Sequence, residues 1–165
     1  MCTFNTLLLP ASAPLDRVNA LAREVVGHGF VVQGHVALES AVATDARTYI
    51  TDGQCDCGSE LARPPRSPRT RKRAGWSQAK IERWFAQQAA KVGPTPQARW
   101  AELIRGILAR ELAAWAGVFT HEYGGAVHDE VIAIRPVRRF ADATAEVVAQ
   151  IEADVPFVFT RASRR

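Results

Sequence analysis

The sequence predicts an α+β fold with a mainly antiparallel sheet, on three observations. Apolar, β-leaning runs lie toward both ends of the chain, at residues 3–9, 47–51, 118–123 and 155–160. Two segments in the middle, within 76–116, repeat their apolar residues at helical spacing. Strands and helices mix without strict alternation, which separates α+β from a parallel α/β sheet. A chain of 165 residues suits one domain, 1–165.

Residues 3–9 form the first strand, ended by Pro10. Leu15, Val18, Leu21, Ala22 and Val25 then recur at helical spacing, with Pro14 near the start and Gly27 and Gly29 near the end. Residues 30–32 and 47–51 read as short strands, and 36–42 suits either a strand or a helix. Residues 63–75 hold Pro64, Pro65 and Pro68 among six cations. Proline denies helix hydrogen bonds and like charges repel, so this stretch is expected to be an extended, mobile loop.

A helical hairpin is expected over 76–116. In its first helix Ile81, Trp84, Phe85, Gln88 and Val92 share a face, and Gly93-Pro94 stops it. The second has Thr95 as N-cap and Pro96 at the first helical position. Its stripe is Trp100, Leu103, Ile104, Ile107, Leu108 and Trp115, with Gly117 as terminator. Residues 118–123 and 131–137 read as a strand pair joined by Gly124-Gly125. A fourth helix is expected over 141–153, capped by Asp142, with Val147, Val148 and Ile151 inward. Residues 155–160 make a last strand, and 161–165 a basic tail. The outer elements allow a split βαβ sheet of ferredoxin-like type, with the helical hairpin inserted.

The formal charge of +4 is concentrated. Arg63, Arg66, Arg69, Arg71, Lys72 and Arg73 sit in one stretch, and without those six the charge becomes −2. Such a loop neutralises phosphates, so nucleic acid is one candidate partner. No aromatic residue interleaves between positions 63 and 73, and Trp76 is the nearest stacking candidate. The bland reading is a solvated connector. No apolar run approaches the roughly 20 residues of a membrane helix. Residues 6–10 are too short for a signal peptide's apolar core and no cation precedes them. A cytoplasmic protein without a membrane partner is therefore expected.

The thiols carry the sharpest chemical hint. Cys2 follows the initiator Met, and Cys55 and Cys57 fall in Gln54-Cys55-Asp56-Cys57-Gly58. Clustered cysteines without an export signal point to a metal or thiol site rather than a disulfide framework. Zinc wants four ligands, with thiolates at ~2.3 Å. The set read here is Cys2, Cys55, Cys57 and, from the histidines His28, His35, His121 and His128, His121. The geometry has a condition: an antiparallel pairing of residues 3–9 with 47–51 brings Cys2 near the Cys-x-Cys turn, and a parallel pairing does not. The competing reading makes Cys2 a core residue and Gly53, Asp56 and Gly58 an ordinary turn. His121 shares a strand face with Phe119 and Tyr123, which suits a packed or hydrogen-bonded imidazole. His128-Asp129-Glu130 reads as a polar turn. There is no His-Glu-x-x-His, no phosphate-binding glycine loop and no Gly-x-Ser-x-Gly.

Met1-Cys2-Thr3 is similar to the opening of cholylglycine hydrolases, which implies a terminal cysteine using its own amine as base; the similarity covers those residues alone. A longer stretch resembles small bacterial proteins of uncharacterised function. It comprises Met1-Cys2-Thr3, the apolar stretch from Leu7 to Pro10, Leu15-Asp16, Tyr49 and the Cys55-to-Gly58 turn, about the first sixty residues. That resemblance implies that the three cysteines form one unit and brings no activity with it.

The expectation is a small intracellular binding or accessory protein, immunity-like, that docks on another protein and carries a structural or regulatory thiol or zinc site. Two further readings stand beside it: a metal- or thiol-dependent enzyme using Cys2, Cys55 and Cys57, and a nucleic-acid-binding protein using the loop from Arg63 to Arg73. Whether the chain is an enzyme stays open.

Overall fold

The computed structural model describes residues 2–53, 56, 61, 77–80, 82–83, 94–124 and 130–161. At its centre is β1 (Cys2–Pro10), whose apolar run is long enough to pair on both edges. One edge takes β3 (Ala46–Thr51) and the other β4 (Trp115–Tyr123), both antiparallel, in the registers Leu7 to Tyr49 and Leu7 to Val118. Beyond β3 lies β2 (Phe30–Val32), and beyond β4 lie β6 (Phe157–Thr160) and β5 (Arg138–Phe140). The sheet order is β2-β3-β1-β4-β6-β5. Only the β5–β6 pair is parallel among the described strands, so the fold is α+β with a mostly antiparallel sheet.

Alternation along the strands divides the core into two layers. On one face Leu7, Leu9, Phe30, Val118, Phe157 and Phe159 meet helix α1 (Leu15–Val25) and α3 (Pro96–Ala109). Val18 and Leu21 of α1 and Trp100, Ile104 and Ile107 of α3 are buried there, as their spacing predicts. Val148 of the single-turn α4 (Ala145–Val148) joins the same layer. On the other face Leu8, Phe119, Tyr123 and Val158 meet Leu38 and Val42 of α2 (Val36–Val42) and Ile132. The ambiguous stretch 36–42 is thus helical. His35 caps it, its Nδ1 accepting from the Leu38 N–H at 3.2 Å. Thr95 caps α3 in the same way, accepting from Ala98, with Pro96 the first residue of the helix.

Four expectations are corrected. The second helix of the expected hairpin ends at Ala109, not near Gly117. Glu111 turns into the left-handed region at φ 54°, and the Leu112 N–H returns to the Ile107 carbonyl at 3.0 Å. Trp115 therefore belongs to β4 and packs against the α2 layer rather than lying on a helix stripe. Residues 131–137 form no strand with β4, because both edges of β4 are occupied by β1 and β6. Their alternation survives in another role: Ile132, Ile134 and Val137 lie over the α2 face of the sheet. Finally, the helix expected over 141–153 is one turn, capped by Thr144, whose hydroxyl accepts from Val147, instead of by Asp142. The expected first hairpin helix falls mostly outside the described residues, as do the basic loop 63–75 and tail residues 162–165. No helix among the described residues is long and apolar enough to cross a membrane.

Candidate functional site

Two polar constellations interrupt the apolar layers, and both are built on the β1–β4 pair. The first lies at the start of β1. Because β1 and β3 are antiparallel, the chain leaving β3 runs back alongside the beginning of β1. Asp56 is buried there: its N–H donates to the Thr3 carbonyl and its carboxylate accepts from the Asn5 N–H, each at 2.8 Å. The Asn5 side chain is completely buried, its Oδ1 accepting from the Thr120 hydroxyl at 3.0 Å and the Leu61 N–H at 3.4 Å. Cys2 is exposed at the strand end, opposite Tyr123. Cys55 and Cys57 lie outside the described residues, as do His128 and the cations Arg63, Arg66, Arg69, Arg71, Lys72 and Arg73. Among the described residues no group of three or more His, Cys, Asp or Glu side chains is placed to hold a metal ion.

Asp56 is more than a turn former. A hydrogen bond to a charged group is worth about 1.5–3 kcal/mol, and removing the acceptor strands a buried N–H. Asp56→Ala is expected to lower unfolding stability by that amount in chemical denaturation. A loss below about 0.5 kcal/mol, the scale of a change at an ordinary surface position, would show that the carboxylate does not clamp β1.

The second constellation surrounds His121 on the α2 face. The pairing of β1 with β4 places His121 opposite Phe4, two residue pairs from Cys2 on the same face. Strand alternation sets Phe119 and Tyr123 on either side of the imidazole, stacked at 6.3 Å and edge-on at 4.5 Å. The packed, hydrogen-bonded histidine expected here is what the structure contains. Its Nδ1 lies 2.5 Å from Asp154 Oδ1, and its Nε2 3.6 Å from Glu130 Oε1. The side chain is 13% exposed, and Nε2 is sealed from solvent with no hydrogen-bond partner among the described residues.

The backbone holds the two carboxylates in place. Asp154 adopts φ 65°, a conformation Asp tolerates better than most residues. Its N–H donates to the Thr120 carbonyl at 3.0 Å, and its own carbonyl accepts from Arg135 at 2.8 Å. The Glu130 carboxylate accepts from the Gly124 N–H at 2.8 Å. A buried polar chain adjoins the cluster: the Thr6 hydroxyl donates to Gln33 Oε1 at 3.3 Å, and Gln33 Nε2 donates to the Tyr123 hydroxyl at 2.9 Å. Beside it opens a cleft of about 330 Å³, whose walls include Gln33, His35, Val36, Glu130, Val131 and Ile132.

Burial pushes the Tyr123 phenol above its ordinary value of 10.0; the Glu130 and Asp154 charges push the same way, and the Gln33 hydrogen bond opposes them. Tyr49, the other tyrosine, is also raised, first by burial. A phenol whose folded pKa exceeds its unfolded one contributes stability fully present below pH 10, and that stability is lost as pH rises through the folded value. Alkaline titration is therefore expected to show less than half of the tyrosinate absorbance at the ordinary midpoint. Its midpoint should lie at higher pH, together with loss of the native circular dichroism. Half of the amplitude developing near pH 10 with the fold intact would contradict the burial of one phenol.

Of this second cluster, His121 was legible as a candidate, Glu130 only as a turn residue, and Asp154, Gln33 and Tyr123 not as site residues. The one local signal for Asp154 is its residue type in the Ala153-Asp154-Val155-Pro156 corner, where an aspartate accepts the left-handed backbone. Comparison of the chain with protein-family models, with curated proteins and with solved structures finds no match.

Proposed function

We propose that this chain is a small binding protein of accessory or immunity type, which docks on another protein and carries a structural or regulatory thiol site formed by Cys2, Cys55 and Cys57. The observation that carries the thiol part is the clamp of Asp56 on Thr3 and Asn5. It ties the residue between the two later cysteines to the first residues of β1, meeting the antiparallel condition on which the reading depends. Zinc is the metal such a thiolate set suits. His121 is left out of the set, because its ring is gripped by Asp154 and set against Glu130. The order β2-β3-β1-β4, with α1 and α3 on one face, supports a ferredoxin-like reading of the core.

Docking is supported by the contrast between the sheet's two edges. The β5 edge carries Arg138 and Arg139, the kind of charge that discourages strand addition. The β2 edge carries none between Gly29 and Gly34 and exposes Val31 and Val32. Val32 and Val36, 61% and 72% exposed, border an open groove of about 620 Å³ running along α2 to Ala43 and Ala46. An extended segment of a partner protein suits such an edge.

Elemental analysis of untagged protein tests the thiol site. About one zinc per chain, lost in Cys55→Ser/Cys57→Ser, is the expected result; metal-free protein with three unreactive thiols overturns it. For docking, a protein co-purifying in fixed stoichiometry from the native host is expected to be lost with Val32→Lys. Unchanged recovery with that variant, or no partner at all, overturns the docking reading.

A further inference from the structure

We infer that Asn19 of α1 is a latch on the β2 edge: its side-chain amide holds the place of a partner's backbone at Phe30, and a docking segment must displace it to pair fully. The inference rests on the docking reading of that edge and adds how the edge is controlled. The thiol site does not enter it.

The register of β2 fixes which of its backbone groups face outward. β2 pairs antiparallel with β3, Val31 opposite Ile50 and Val32 opposite Tyr49. The Gln33 N–H donates to the Thr48 carbonyl at 2.8 Å, and the Gly29 carbonyl accepts from the Asp52 N–H at 3.1 Å. Gly29, Val31 and Gln33 therefore turn their backbone groups toward β3, and Phe30 and Val32 turn theirs away. β2 is the outermost strand on this side of the sheet among the described residues. At Phe30 the outward groups are both engaged by one side chain. The Phe30 N–H donates to Asn19 Oδ1 at 2.8 Å, and the Phe30 carbonyl accepts from Asn19 Nδ2 at 3.0 Å. One acceptor and one donor side by side are what a residue of a neighbouring strand would present.

With Asn19 in place, Val32 is the one residue of β2 that offers an outward pair, and Gly34 at φ 73° then turns the chain off the strand line. With Asn19 withdrawn, Phe30 and Val32 both offer pairs, at the two-residue spacing an extended segment requires. Displacement is an exchange of like bonds, because the segment's backbone replaces the amide at Phe30 donor for acceptor. Such exchanges change the free energy little. Asn19 is only partly buried, so the released amide is hydrated. Until then the latch keeps the exposed edge short, which limits indiscriminate strand addition. The apparent affinity for a segment is reduced by the fraction of chains whose latch is open, so removing the latch strengthens docking. A residue that merely anchored α1 to β2 would act in the opposite sense, since its loss would loosen β2 and weaken docking.

The test selects peptides on the full chain from a random display library and reads one synthesised peptide by fluorescence anisotropy. A copy with methylated backbone nitrogens controls for strand addition. Saturable binding is expected, at least tenfold weaker for the methylated copy and lost in Val32→Lys. Asn19→Ala is expected to bind the peptide at least fivefold tighter. Asn19→Asp, which keeps an acceptor for the Phe30 N–H but gives its carbonyl no donor, should fall between. Amide exchange followed by NMR reads the latch without any peptide. The Phe30 amide is expected to be protected in the native chain and to exchange fast in Asn19→Ala, with Val31 and Gln33 still protected. No enriched peptide, or binding indifferent to Val32→Lys, overturns the docking reading and the latch with it. Val32-dependent binding that Asn19→Ala leaves unchanged or weakens overturns the latch alone, as does equal binding of the methylated copy. A Phe30 amide still protected in Asn19→Ala, or protection lost at Val31 and Gln33 as well, also overturns the latch.

Discussion

Replacing Phe157 with alanine is expected to remove about 3–5 kcal/mol of folding stability, the usual loss for a buried phenylalanine. The ring is fully buried at the start of β6, stacked on Phe140 at 5.2 Å, with the Arg138 guanidinium 5.6 Å from its centroid. Truncation leaves a cavity between the β5–β6 pair and the α3 layer. At roughly 2–4 °C per kcal/mol for a chain of this size, the melting temperature should fall by about 10 °C. A drop of only one or two degrees would mean that β6 does not lie in the core.

The second large effect is at Gly117. Valine there is expected to cost about 3 kcal/mol, the upper part of the range for overpacking a filled interior. Gly117 lies between Leu8 of β1 and Val158 of β6. A Cβ at this position would sit 2.9 Å from the Phe157 carbonyl oxygen and 3.2 Å from Leu8 Cβ. The nearest of these atoms is backbone, so relief requires the β4–β6 ladder to open. Urea unfolding of Gly117→Val decides the matter. A midpoint equal to that of the native chain would be incompatible with the β1–β4–β6 register. The same glycine has the look of a helix terminator in the sequence, whereas its role is to let two strands and a leucine approach.

Gly117 shows how far short-range reading extends. The caps at Thr95 and Pro96, the stripes of α1 and α3 and the runs of β1, β3 and β6 are written within a few residues, and the structure contains them. Each rests on a local rule of periodicity, capping or backbone preference. The failures share another cause. Residues 131–137 alternate like a strand, but β4 has no edge left for them. The helix leading toward Trp115 ends early because Leu112 turns back into the core, and the residues after it are claimed by β1 and β6.

The candidate sites divide along the same line. Residue types alone singled out Cys2, the Cys-x-Cys turn and His121, and strand alternation placed His121 between Phe119 and Tyr123. Asp154 meets His121 from 33 residues away, and Gln33 meets Tyr123 from 90. Asp56 reaches Asn5 from 51. No local pattern encodes such meetings, because they depend on which strand edges pair and which loop crosses the sheet. The chain's own residues determine that α1, α3, β1 and β3 form; only the assembled sheet decides that a histidine on β4 is enclosed by two carboxylates.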